Sequence, residues 1–149
     1  ICDVTFAALD TRVGTPQLPL GAGYVAAFWA WHVGPTRAKE MFFPTGEMIS
    51  ADEAVEMGLF NRAVPRDELD DFVRDYANRA ARTPKEILAL QKVSINRTQE
   101  VQGFREAILQ GADVDAIAHA SDAVKTVNRY IAEHGLSDAL SAFKTGKLL

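Results

Sequence analysis

The sequence predicts an α/β chain in which short strands give way to a long run of helices. Three observations carry this. The chain starts on an apolar, strand-like stretch, Ile1 to Ala8. Thr45 to Pro65 then holds a turn, a two-turn helix and a short strand in succession. Beyond Asp67 the apolar residues recur at helical spacing almost to the end.

Each element has its own signal. After the first strand, Leu9-Asp10-Thr11 is a turn, Asp10 and Arg12 are placed to pair, and Arg12 to Gly14 reads as a second short strand. Thr15 to Gly21 carries two prolines and is a loop. Ala22 to Val33 is predicted helical, opened by Gly21-Ala22-Gly23 and ended by Gly34, and Pro35 suits the first position of a helix that runs to about Phe43. Thr45-Gly46 is a turn. Ser50 and Glu53 form a capping box, with Asp52 and Glu53 in a first turn that favours negative charge, and Gly58 ends that helix. Leu59 to Val64 reads as a strand stopped by Pro65. A long helix opens at Asp67 with a stripe of Leu69, Phe72, Val73, Tyr76, Ala77 and Ala80. Thr83, Pro84 and Glu86 read as another capping box, followed by helices over about 84–97, 100–120 and 122–134, a stop at Gly135 and a last helical turn near 137–143.

Composition bounds the function. The chain has 149 residues, one domain's worth, and is 48% hydrophobic and 24% charged, as folded domains are. A net charge of -4 argues against a nucleic-acid surface, which needs clustered Lys and Arg. The single Cys2 forms no internal disulfide and suits a reducing, cytoplasmic setting. No run approaches the ~20 apolar residues of a membrane span. His119 and His134 fall on late helices with no Cys or carboxylate noted at ligand spacing, so no metal site is expected. Ser94, Ser121 and Ser137 read as helix or cap residues.

Residue order adds what local physics does not. Thr45, Gly46, Ile49, Ala51, Glu53, Ala54, Gly58 and Leu59 match a Thr-Gly-x-x-Ile-x-Ala-x-Glu-Ala-x-x-x-Gly-Leu block, with Phe60 where Val is usual. Cys2, Asp3, Ala7 and Ala8 match a Cys-Asp-x-x-x-Ala-Ala strand. On these residues the chain resembles the enoyl-CoA hydratase/isomerase (crotonase) superfamily. The resemblance implies the crotonase-like ββα spiral fold, with residues 1–65 as the C-terminal part of the spiral core and 66–149 as a helical region for subunit packing. It covers nearly all of this sequence but only the second half of a family member, so a chain lacking its first half is expected.

The same resemblance implies the chemistry. It points to an acyl-CoA thioester as substrate, in fatty-acid metabolism, with coenzyme A entering as part of the substrate and no separate cofactor. Backbone amides would hold the thioester oxygen as an enolate forms. Gly14, Pro16, Leu20 and Gly21 match the segment that follows the Cys-Asp strand in the family, and Gln17 stands where hydratases and isomerases carry a proton-moving Glu. A neutral amide hydrogen-bonds but neither accepts nor returns a proton. Gln17 is therefore the candidate catalytic position. It leaves open a divergent hydratase, an acyl-CoA-binding pseudo-enzyme and an assembly subunit.

Pro16, Leu20, Gly21, Gly23, Tyr24 and Phe28 are the substrate-pocket candidates, although Tyr24, Phe28 and Trp31 also fit a core-facing aromatic stripe. Phe143 and Lys144 are the coenzyme A candidates, by likeness to the family's tail. The resemblance implies a homo-oligomer, a trimer or hexamer, packed through the helical tail. Its candidate packing faces are Val101, Phe104, Ile108 and Ala112 on one side and Val124, Val127 and Ile131 on another.

Overall fold

The protein is described by a computed structural model over residues 2–23 and 25–149. Expectations that fall on Ile1 and Tyr24 therefore lie outside the described residues. The chain runs β1 (Phe6–Ala8), β2 (Arg12–Gly14), α1 (Ala26–Val33), α2 (Pro35–Phe42), β3 (Met48–Ser50), α3 (Ala51–Met57) and β4 (Arg62–Val64). A 3-10 turn at Arg66–Glu68 leads into α4 (Leu69–Ala80), α5 (Lys85–Val101), α6 (Phe104–Ala120), α7 (Asp122–His134) and α8 (Leu136–Lys144). The α/β character with a helical C-terminal region is as predicted. Strand β1 pairs parallel to β4, setting Phe6 opposite Arg62 and Ala8 opposite Val64. Strand β2 pairs with β3.

Two units form, one of Ile1–Val13 with Ile49–Glu106 and the other of Gly14–Met48 with Ala107–Leu149. In the first unit, helix α3 is fixed at both ends. Ser50 accepts a hydrogen bond from the Glu53 N–H, and the Glu53 carboxylate accepts from the Ser50 N–H at 2.7 Å. At the other end, the Leu59 and Phe60 N–H groups turn back to the Ala54 carbonyl. Those two residues are thus spent on the helix end, and the predicted strand from Leu59 shortens to Arg62–Val64. The α4 stripe is real: Phe72 and Tyr76 meet the Phe6 ring edge-on at 5.1 and 5.0 Å.

Other expectations are corrected. Asp10 pairs with Arg66 at 2.7 Å, not with Arg12, and this contact holds the Asp10 carboxyl below its ordinary range. No capping box forms at Thr83 and Glu86. Pro84 takes the N-cap position and has no side-chain oxygen with which to cap. Helix α5 continues to Val101, and the break before α6 falls at Gln102-Gly103.

In the second unit, Val127, Ala139, Ala142, Leu148 and Leu18 form a buried cluster, with Tyr130, Ile131 and Phe143 packed against it. Val124 and Val127 are buried, so this predicted face packs inside the chain. Helix α1 packs on α2, and the buried Trp29 ring meets Phe42 edge-on at 5.8 Å. Strand β3 was not foreseen, because Met48-Ile49-Ser50 is too short to show a period.

Ser50→Ala removes one half of the α3 cap and should lower stability by about 1 kcal/mol in urea unfolding. The Glu53 carboxylate is held below its ordinary 4.5, chiefly by the Ser50 N–H. Because the folded value is the depressed one, the charge contribution is complete above 4.5 and fades as pH falls through the folded value. The urea midpoints of wild type and Glu53→Gln should therefore differ at neutral pH and converge in acid. Val127→Ala, which opens a hole at a fully buried site, should cost about 2 kcal/mol in the same assay.

Candidate active site

The loop between β2 and α1 is pinned by the polar groups of one residue and the apolar side chain of another. Thr15 is buried; its hydroxyl donates to the Met41 carbonyl at 3.3 Å and accepts from the Gly46 N–H at 3.2 Å, while its own N–H donates to the Glu47 carbonyl at 3.1 Å. Three residues on, Leu18 is sunk in the core cluster of α7 and α8. Between and beyond these anchors the chain is Pro- and Gly-rich and carries no helix. Gly23 has φ +80°, a backbone state that does not continue into a helix, so α1 starts at Ala26 and not at Ala22 as predicted.

This loop walls a cavity of about 610 Å³. Its lining includes Pro16, Leu20, Gly21 and Gly23, four of the predicted pocket residues, with Phe42 and Phe43 from the end of α2 and Ala26 and Ala30 from α1. Among the described residues, its titratable side chains are Lys39, Asp115 and His119. An adjoining hollow of about 350 Å³ shares Ala22, Gly23, Ala26 and Ala30 and adds Trp31 and Gly111.

Asp115 went unread in the sequence, and His119, expected to have no carboxylate at ligand spacing, has Asp115 beside it. They are one helical turn apart on α6 and share its face. The Asp115 side chain is 20% exposed; one of its oxygens accepts the Gly23 N–H at 3.1 Å, and the other lies 3.5 Å from His119 Nε2. The loop comes so close that a Cβ on Gly21 would sit 2.5 Å from the Asp115 carboxylate and 3.2 Å from His119 Nε2. A larger residue at position 21 would make the Asp115 side chain shift. The Gly23 N–H, expected to be open to a ligand, is committed to Asp115.

The other predicted residues that are described lie elsewhere in the unit. Gln17 is exposed, beside Gly46, and is not among the residues lining the cavity. Phe28 is half-buried on α1 and does not line it either. Phe143 packs against the core cluster, and Lys144 is exposed in the last turn of α8; neither borders the cavity. Among the described residues, no group of three or more His, Cys, Asp or Glu could hold a metal ion, and no helix is long and apolar enough to cross a membrane.

Comparison with known proteins agrees with this architecture. The chain is 34% identical to the short-chain-enoyl-CoA hydratase of Clostridioides difficile over 117 residues, 76% of this chain and 66% of that protein. It is 33% identical over 101 residues to the short-chain-enoyl-CoA hydratase of Clostridium acetobutylicum, covering 64% of this chain and 38% of the relative. The crystal structure of an enoyl-CoA hydratase/isomerase from Xanthobacter autotrophicus Py2 superposes with a TM-score of 0.84 at 32% identity, over 94% of this chain and 53% of that one. The chain thus spans between 38% and 66% of the curated relatives named here. The crotonase-like fold expected from the Thr45–Pro65 block is the fold these neighbours share. Residues 1–135 match the enoyl-CoA hydratase/isomerase family, and the chain belongs to it.

Proposed function

We propose that the protein binds an acyl-CoA thioester and acts on it as a divergent hydratase, stabilising the enolate of the thioester with backbone amides. The observation that carries this reading is the largely apolar cavity walled by Pro16, Leu20, Gly21 and Gly23. Pockets of some hundreds of Å³ with a few convergent polar groups are the usual form of a small-molecule site. The acyl chain would lie against Pro16, Leu20 and Phe42, and the thioester would face the glycine turn. The C. difficile and C. acetobutylicum relatives are named as short-chain-enoyl-CoA hydratases, which supports the same substrate class. Phe143 and Lys144 remain proposed contacts for the coenzyme A moiety, reached from outside the cavity.

Gln17 supports a second reading, in which the chain binds acyl-CoA without turning it over. A neutral amide cannot perform the proton transfers of hydration, and this one lies outside the cavity lining. The proposed assembly is a homotrimer or hexamer. It is supported by the apolar side chains that α5 leaves exposed, Ile87, Leu90, Val93 and Ile95 among them. The cytoplasm is the proposed location, consistent with a free, exposed Cys2.

Titration with butyryl-CoA, a saturated probe with no double bond to hydrate, tests the substrate class. Binding with a dissociation constant between about 1 μM and 1 mM is expected, the range in which enzymes commonly hold their substrates. No binding at 1 mM would sink the reading. In a crotonyl-CoA hydration assay, Gln17→Glu should be at least as fast as wild type. Wild-type hydration that Gln17→Glu abolishes would show that the amide itself takes part.

A further inference from the structure

We infer that His119, oriented by Asp115, is the group that moves protons at the acyl α-carbon. This inference rests on the acyl-CoA reading above. Three observations point to it. The pair lines the cavity, so a bound acyl group meets it. Among the described residues, Lys39 is the other titratable side chain in the lining, and an ammonium carries no free lone pair to accept a proton. The surroundings hold the pair close to the loop: Gly23 donates its N–H to Asp115 at 3.1 Å, and Gly21, with no Cβ, lets the chain run beside both side chains.

The geometry sets the roles. One Asp115 oxygen is occupied by Gly23, and the other faces His119 Nε2 at 3.5 Å. A carboxylate beside one ring nitrogen favours the proton there and leaves the lone pair on the other. Asp115 is thus a positioning residue, holding the imidazole in one tautomer and stabilising it when it becomes cationic, the logic of a base oriented by a third group. His119 Nδ1 accepts the proton of the α-carbon. The electron pair of the broken C–H bond passes into the thioester to form the enolate. The imidazolium then returns a proton to the same carbon, so that no oxidant or reductant is consumed. A side chain at position 119 thereby supplies what the amide at position 17 cannot.

The reaction is read without knowing the natural acyl group, by following exchange of the α-hydrogens of butyryl-CoA in D₂O by proton NMR. The protein should catalyse exchange. His119→Gln should slow it by about 100-fold, the scale of general acid–base catalysis, with butyryl-CoA affinity within about twofold of wild type. Asp115→Asn retains an oxygen for the Gly23 N–H and should slow exchange by about tenfold, also without loss of affinity. If His119→Gln does not fold, Asp115→Asn decides the matter. A merely structural role would lower affinity and melting temperature together with the rate. Binding with exchange that survives both substitutions would overturn the inference and leave the acyl-CoA reading standing, as would binding by wild type with no exchange. Absence of butyryl-CoA binding would overturn both.

Discussion

The hydrogen bond from the Gly23 N–H to the Asp115 carboxylate is the contact on which the site depends. It joins residues 92 positions apart, a short loop and the second half of α6. A backbone donor held by a carboxylate is a charge-assisted bond, stronger than its neutral counterpart. Removing it would leave one oxygen of a half-buried carboxylate without its donor, which is costly in its own right. The loop runs close to α6 at Gly21, which presents no side chain to Asp115 and His119. Two glycines and one carboxylate therefore decide where the cavity wall stands and which groups face into it.

That contact works because the loop is held upstream by different means. Thr15 ties it to the α2 end and the turn at Gly46, using its N–H, its hydroxyl hydrogen and a hydroxyl lone pair. Leu18 ties it to α7 and α8 by burial alone, 3% exposed among Val127, Ala139, Ala142 and Leu148. The residue between Pro16 and Leu18 then has little choice. With Leu18 turned into the core, Gln17 sits exposed over Gly46.

What was legible in the sequence was what is encoded locally. Ser50 and Glu53 announce α3 because a capping box is closed within four residues, and Gly58 and Gly135 mark helix ends for equally local reasons. The α4 stripe was legible because its period is repeated over three turns. The errors fall where partners are distant in sequence. Arg66 took the Asp10 carboxylate that Arg12 was expected to hold. Gly23 broke the helix expected from Ala22, because its φ is set by the loop's approach to α6 and not by its neighbours. The family block named the fold and said nothing of α6, whose Asp115 and His119 belong to no motif. Their only signal was two titratable residues four apart, which the scan for metal-ligand spacing passed over.

The cavity's electrostatics follow from the same asymmetry. Its loop side offers hydrocarbon and backbone, from Pro16, Leu18, Pro19, Leu20 and the glycines, and its α6 side offers one anion and one imidazole. An acyl thioester has a matching asymmetry: an apolar chain and an acidic α-carbon beside a polarisable carbonyl. In a wall of mixed polarity the two side chains would compete with water and with one another for hydrogen bonds. In this one the Asp115 oxygens are each accounted for, by Gly23 and by His119. The imidazole, 55% exposed, is the member of the pair left able to meet an incoming group. Because Gln17 carries no charge and lies outside the lining, replacing it leaves this division intact, whereas a methyl group on Gly21 reaches both members of the pair at once. On the proposed reading, the site therefore depends on how closely a glycine lets the loop approach α6 as well as on the side chain at position 17.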